Sequence, residues 1–148
     1  IEVHHYIERL CQSLLKSYGG DEQGVALELD VEDALMDIDR AILIGLIVNE
    51  LVSNSLKYAF NGKTDGVLSV ALRTEKKHFV LTVSDNGSGK TKKSRDPSSF
   101  GLKLVDSMTK KLKGTITVNT GAKADPEALE GSVQRLGYST RIEFPKTK

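Results

Sequence analysis

A single cysteine, Cys11, in 148 residues rules out an internal disulfide and any cluster of thiolate metal ligands. It suits a reducing, cytoplasmic setting. An excess of either charge is also lacking: 21 Lys and Arg against 20 Asp and Glu leave +1. That balance makes no case for a nucleic-acid surface or for direct membrane contact. No apolar run approaches a membrane-spanning length, no signal-peptide pattern opens the chain, and no internal repeat appears. The chain starts without Met and enters a helical pattern at once, which reads as an excised piece of a longer protein. What is present is 39% hydrophobic and 28% charged residues, the composition of one soluble globular domain with a single core.

Periodicity lays out the elements. Val3, Ile7, Leu10, Cys11, Leu14, Leu15 and Tyr18 share one helical stripe, which Gly19-Gly20 stops. Val25, Leu27 and Leu29 alternate as in a strand, and Ala34 to Ile38 suits a second, short one. Asp37 or Asp39 caps a helix running to about Phe60. Asn61-Gly62 and Asp65-Gly66 mark turns. Leu68, Val70 and Leu72, then Phe79, Leu81 and Val83, form the apolar faces of two hairpin strands joined through residues 74–77. From Asp85 to Ser99 the apolar periodicity is lost. Leu102, Val105, Met108 and Leu112 restore helical spacing up to Gly114. Ile116 and Val118 suit one strand, and Tyr138, Thr140, Ile142 and Phe144 another, with residues 121–136 as a long hairpin insertion. The mixture predicts an α/β (α+β) two-layer sandwich: a mixed, mostly antiparallel sheet covered on one face by helices.

The helix around Asn54 is the most informative segment. Residues 42–48 are apolar all round, which predicts burial. Asn49, Glu50, Ser53, Asn54 and Lys57 then fall on one side, with Glu50, Asn54 and Lys57 nearly in line. A carboxylate, an amide and an ammonium on an otherwise buried helix need partners. As a cleft wall, Asn54 offers a neutral oxygen to Mg²⁺. Lys57 offers a point charge to phosphate, and Glu50 can orient or deprotonate an attacking group. Taken alone, the row equally suits an amphipathic helix with a solvated face.

Two loops complete the pattern. Asp85-Asn86-Gly87-Ser88-Gly89 follows a strand directly. Its glycines permit close backbone approach to a ligand, and Asp85 can accept a hydrogen bond from an exocyclic amine such as adenine's. An ordinary turn reads the same way in isolation. Lys90, Lys92, Lys93 and Arg95 follow in a polar stretch that reads as a lid over a polyphosphate, or as a solvated basic loop. Ser98 or Ser99 can cap the next helix, whose first N–H groups form an anion site, and Gly101 lets a phosphate approach the backbone.

Together these pieces resemble the histidine-kinase-like ATPase superfamily (the Bergerat fold), which includes bacterial sensor histidine kinases and gyrase-type topoisomerases. Residues 49–60 look like its N box, residues 85–89 its G1 box, and residues 99–105 its G2 box. Gly137 through Phe144-Pro145 looks like the final glycine-containing strand. The boxes stand in family order over nearly the whole chain. Lys57-Tyr58 after Asn54, and the leading helix from Ile1, are similar to sensor kinases. That helix looks like the one joining a dimerisation domain to a catalytic domain.

The resemblance implies roles. Glu50 would be the catalytic acid/base carboxylate and Asn54 the Mg²⁺ ligand. Lys57 and Tyr58 would lie near the phosphates. Asp85 would bind the adenine amino group, with Gly87 and Gly89 shaping the base pocket. Ser99, Gly101 and Leu102 would complete the ATP site from the lid side. The cofactors implied are ATP and Mg²⁺. Residues 1–148 would form one catalytic domain that donates the γ-phosphate to a histidine on a separate phosphoacceptor and dimerisation domain, absent from this chain. A response regulator would be the partner of the parent kinase, which itself could be membrane-anchored. His4 and His5 are set aside as phosphoacceptors, since that helix lies upstream. Ser99 replaces a glycine common in the G2 box. Either Gly137-Tyr138 or Gly131-Ser132 stands for the last Gly-Thr pair. An anti-sigma-factor-type serine kinase and a non-enzymatic nucleotide-sensing module are the alternatives.

Overall fold

A computed structural model describes residues 1–60, 65–87, 100–120 and 137–147. Gly89, Ser99, the expected lid at residues 90–99, the Asn61-Gly62 turn and the 121–136 insertion lie outside the described residues, as does Gly131-Ser132. The elements are α1 (Val3–Ser17), β1 (Ala26–Val31), α2 (Ile38–Tyr58), β2 (Val67–Glu75), β3 (His78–Asp85), α3 (Phe100–Lys111), β4 (Thr115–Thr120) and β5 (Tyr138–Pro145). The sheet order is β1-β2-β3-β5-β4. β1 runs parallel to β2, and every other pairing is antiparallel. This is the mixed, mostly antiparallel sheet that the pattern predicted.

The alternation along the strands decides which face is covered. Val70 pairs with Val83 and Leu72 with Leu81. Leu81 pairs with Ile142 and Phe79 with Phe144, and the two phenylalanine rings stand 5.5 Å apart. These side chains share one buried cluster with Val3, Ile7 and Cys11 of α1, Ile44, Ile47 and Val48 of α2, and Val105 and Met108 of α3. Each such aliphatic side chain contributes about 1.5–3 kcal/mol when removed from water. On the other face Arg73 and Arg141 are exposed, and Arg141 bonds Glu75 at 2.9 Å. No helix among the described residues is long and apolar enough to cross a membrane.

Asp37, not Asp39, caps α2. Its side chain accepts from the Arg40 backbone N–H at 3.3 Å and from Arg40 Nε at 2.7 Å. Arg40 also donates to the Pro145 carbonyl at 2.9 Å, which ties the start of α2 to the end of β5. Tyr6 of α1 lies against Gly45 of α2, where a Cβ would stand 2.0 Å from the tyrosine oxygen. Gly45 therefore sets how closely the two helices approach.

Two expectations need correction. The strand expected at Ala34 to Ile38 reduces to one bridge between Leu35 and Glu2. The chain just before α1 offers only that short partner, so no ladder propagates. The stretch 42–48 is not buried all round: Ile42 and Leu46 are about half exposed, as is Ile38. The sheet covers one side of α2, and its outer stripe faces water. The chain leaves α3 before Gly114, as its spacing predicts; the left-handed residue there is Lys113 (φ 59), and a Cβ on Gly114 would meet the Glu143 carbonyl oxygen at 2.6 Å.

Candidate functional site

The second half of α2 carries the polar row over the carboxyl end of β3. Leu51, Asn54 and Ser55 form one wall of a cleft of ≈ 250 Å³, with Val83 and Thr140 from the sheet, Tyr138 at the start of β5 and Leu102 in the first turn of α3.

Asp85 closes β3 at 2% exposure. A buried carboxylate requires hydrogen bonds to remain charged. The Ser55 hydroxyl donates to one of its oxygens at 2.8 Å and the Gly87 N–H to the other at 3.0 Å. The carboxyl group is thus oriented by α2 on one side and by its own loop on the other. Its backbone carbonyl accepts from Gly137 N–H at 2.6 Å, in register with the Asp85–Tyr138 pair of β3 and β5.

Two glycines make this junction possible. A Cβ on Gly87 would stand 2.4 Å from the Ala59 carbonyl oxygen, and one on Gly137 would stand 2.0 Å from the Gly87 carbonyl oxygen. The end of α2, the loop after β3 and the start of β5 therefore touch backbone to backbone. Gly137 directly precedes β5, while the other candidate, Gly131-Ser132, lies outside the described residues.

Glu50 lies one turn before Asn54. Its Oε2 stands 2.6 Å from where a Cβ on Gly101 would be, so the carboxylate abuts the first turn of α3. Glu50 and Asn54 are half-buried. Neither has a hydrogen-bond or ion-pair partner among the described residues. Lys57 and Tyr58, expected near the phosphates, are not among the residues lining this cleft. Lys57 is exposed, with its ammonium 5.5 Å from the centroid of the Tyr18 ring beyond α1. Ser53, placed on the polar row by its spacing, is buried at 6% exposure.

Sequence reasoning missed Ser55, Val83, Tyr138 and Thr140. Ser55 was in plain view beside Asn54, and its signal was a hydroxyl on the buried side of the helix. Tyr138 and Thr140 reach the cleft through strand pairing across a long stretch of chain, which no local pattern reveals.

A family model described as histidine kinase-, DNA gyrase B- and HSP90-like ATPase matches residues 39–148. Among curated proteins none matches. The histidine kinase domain of the Erythrobacter litoralis EL346 blue-light activated histidine kinase is similar in structure, with a TM-score of 0.80 at 20% identity. The likeness covers 99% of this chain and 62% of that one, so the chain spans about three fifths of that structure. The mycobacterial sensor histidine kinase MprB gives a TM-score of 0.63 at 20% identity, over 93% of this chain and 94% of that one. The Acinetobacter baumannii histidine kinase AdeS gives 0.65 at 18% identity, over 95% and 65%. At these identities the likeness is one of fold.

Proposed function

The chain belongs to the histidine kinase-, DNA gyrase B- and HSP90-like ATPase family, and we propose that it is the Mg-ATP-binding catalytic domain of a sensor histidine kinase. The observation that carries this reading is Asp85, a buried carboxylate bonded to Ser55 of a cleft whose wall also holds Asn54. Adenine enters between Leu102 and the sheet, and its exocyclic amine donates to Asp85. A carboxylate offers about four lone-pair sites, and the bonds from Ser55 and Gly87 fix how the group is oriented. The phosphates extend toward the start of α3, where helix N–H groups favour anions.

Mg²⁺, when bound, would neutralise phosphate charge, and the Asn54 amide oxygen is the hard, neutral ligand that this chain would supply to it. Glu50 accepts a hydrogen bond from one ring N–H of the incoming phosphoacceptor histidine. That leaves the lone pair of the other ring nitrogen to attack the γ-phosphorus. The P–N bond forms as the bond from γ-phosphorus to the bridging oxygen breaks, and ADP leaves with the electron pair. Positioning and charge neutralisation account for most of such a transfer. The histidine resides on a separate phosphoacceptor and dimerisation domain, and a response regulator then takes the phosphoryl group, in the cytoplasm.

Guanine presents a carbonyl where adenine presents an amine, so Asp85 repels it. Calorimetry should show ADP binding well above GDP binding. Asp85→Asn should weaken ADP binding by about 1–3 kcal/mol, the loss of a charge-assisted bond. Equal affinity for ADP and GDP overturns the assignment.

A further inference from the structure

Near the start of α1, on the side away from the core, His4, His5 and Glu8 each place one ligand atom within 4.8 Å of the other two. His4 Nε2 stands 3.3 Å from Glu8 Oε1. In a tetrahedral site with metal–ligand bonds of about 2.0–2.1 Å, two ligand atoms stand roughly 3.3 Å apart. The pair is already spaced as two ligands of one ion.

The tautomer of His4 supports the same reading. Its Nδ1 lies 2.6 Å from the Val31 carbonyl oxygen. A carbonyl only accepts, so Nδ1 carries the hydrogen and donates it. In the neutral ring Nε2 then holds a lone pair, and that lone pair faces a carboxylate oxygen. Two acceptors at this distance are satisfied by a cation between them, a proton on Nε2 or a metal ion. An imidazole that donates its other ring N–H to a backbone carbonyl is the usual outer-shell support of a metal-binding histidine. His5 is two-thirds exposed, and its ring centroid lies 5.1 Å from that of His4, so rotation of a solvated side chain brings in the third ligand.

We propose that His4, His5 and Glu8 form a Zn²⁺ site on the outer face of α1, with water completing the coordination. Two imidazoles and one carboxylate suit zinc. Mg²⁺ prefers oxygen ligands in an octahedral set, so the nucleotide's cation does not compete here. The single thiol does not compete either, because Cys11 is buried and burial pushes its pKa up to about 12. Since Val31 ends β1, the ion would also hold the first turn of α1 to the edge of the sheet.

The test is calorimetric titration of ZnCl₂ into the nucleotide-free protein in excess Mg²⁺. Co²⁺ replacement then reports geometry through its visible absorption. The expected result is one saturable site, a four-coordinate Co²⁺ spectrum, and affinity lowered about tenfold or more in His5→Ala and Glu8→Gln. Both positions are solvated, so both variants should fold, and they decide the matter even if His4→Ala does not fold. The third histidine, His78 on β3, is the control, and His78→Ala should bind Zn²⁺ as the wild type does. The proposal is overturned by an absence of saturable binding, by unchanged affinity in both His5→Ala and Glu8→Gln, or by loss of binding in His78→Ala. None of these outcomes bears on nucleotide binding.

Discussion

Glu50 of α2 and Gly101 of α3 meet between the two helices: a single added carbon on Gly101 would stand 2.6 Å from Glu50 Oε2. The obstructing atom is the far end of a flexible side chain, so Gly101→Ala should not harm folding. Alanine in the first turn of α3 should be neutral or stabilising by about 0.5–1 kcal/mol. The carboxylate must move, however. In the parent kinase with its phosphoacceptor domain, autophosphorylation should fall by roughly ten- to a hundredfold, the scale of a small misplacement of a reacting group. A variant that transfers phosphate at the normal rate would show that Glu50's position against α3 is immaterial.

Asn54 and Glu50 should separate binding from chemistry. Asn54→Ala removes a ligand that the metal would use in both ground and transition states, so Mg²⁺-dependent ATP affinity and transfer should fall together. Glu50→Gln should leave affinity largely intact and slow transfer, since an orienting group acts mainly in the transition state. Nucleotide affinity with and without Mg²⁺, set beside autophosphorylation rate, checks both. Full Mg²⁺-dependent affinity in Asn54→Ala, or normal transfer in Glu50→Gln, defeats the corresponding role. A histidine nucleophile is already neutral near pH 7, so the Glu50 effect should be the smaller on transfer.

Gly137 should tolerate no side chain. A Cβ there would stand 2.0 Å from the Gly87 carbonyl oxygen, which is backbone and cannot swing aside. Gly137→Ala should destabilise the domain by about 1–3 kcal/mol and loosen the Asp85 junction, lowering the urea midpoint and ADP affinity together. An unchanged midpoint would mean that β5 enters the sheet differently.

His4 should titrate above its ordinary value of 6.5. The hydrogen bond to the Val31 carbonyl is the largest cause. Partial burial opposes it, and the carboxylates of Glu8, Asp33 and Glu2 add to the rise. A pKa raised in the folded state contributes stability that is fully present below the unfolded value. That stability is lost as pH rises through the folded value. In metal-free buffer, stability should therefore fall slightly between pH near 6.5 and the folded midpoint, and His4→Gln should flatten that slope. An NMR titration of His4 with a midpoint at or below the ordinary value contradicts this.

Much was decided within single elements of the chain. The period-2 faces of Leu68-Val70-Leu72 and Phe79-Leu81-Val83 specify a hairpin with one buried side, because alternate residues on a pleat point opposite ways. The helical stripe from Val3 to Leu15 specifies α1, and the pair of candidate caps Asp37 and Asp39 brackets the start of α2, for the same local reasons. The order of the boxes around Asn54, Asp85 and Gly101 identified the family without any contact being known. Tertiary structure decided what depends on which elements become neighbours. A helix pattern shows an apolar surface but not how much of it the sheet will cover, so Ile42 and Leu46 look like core and face water. A row at helical spacing gives directions but not surroundings, so Lys57 is in line with Asn54 yet stands over Tyr18. The bond from Ser55 to Asp85, the stacking of Gly137 on Gly87, and the carbonyl of Val31 that orients His4 all join residues tens of positions apart. Pairings of that kind are set by how strands and helices pack together, and no short stretch of sequence carries them.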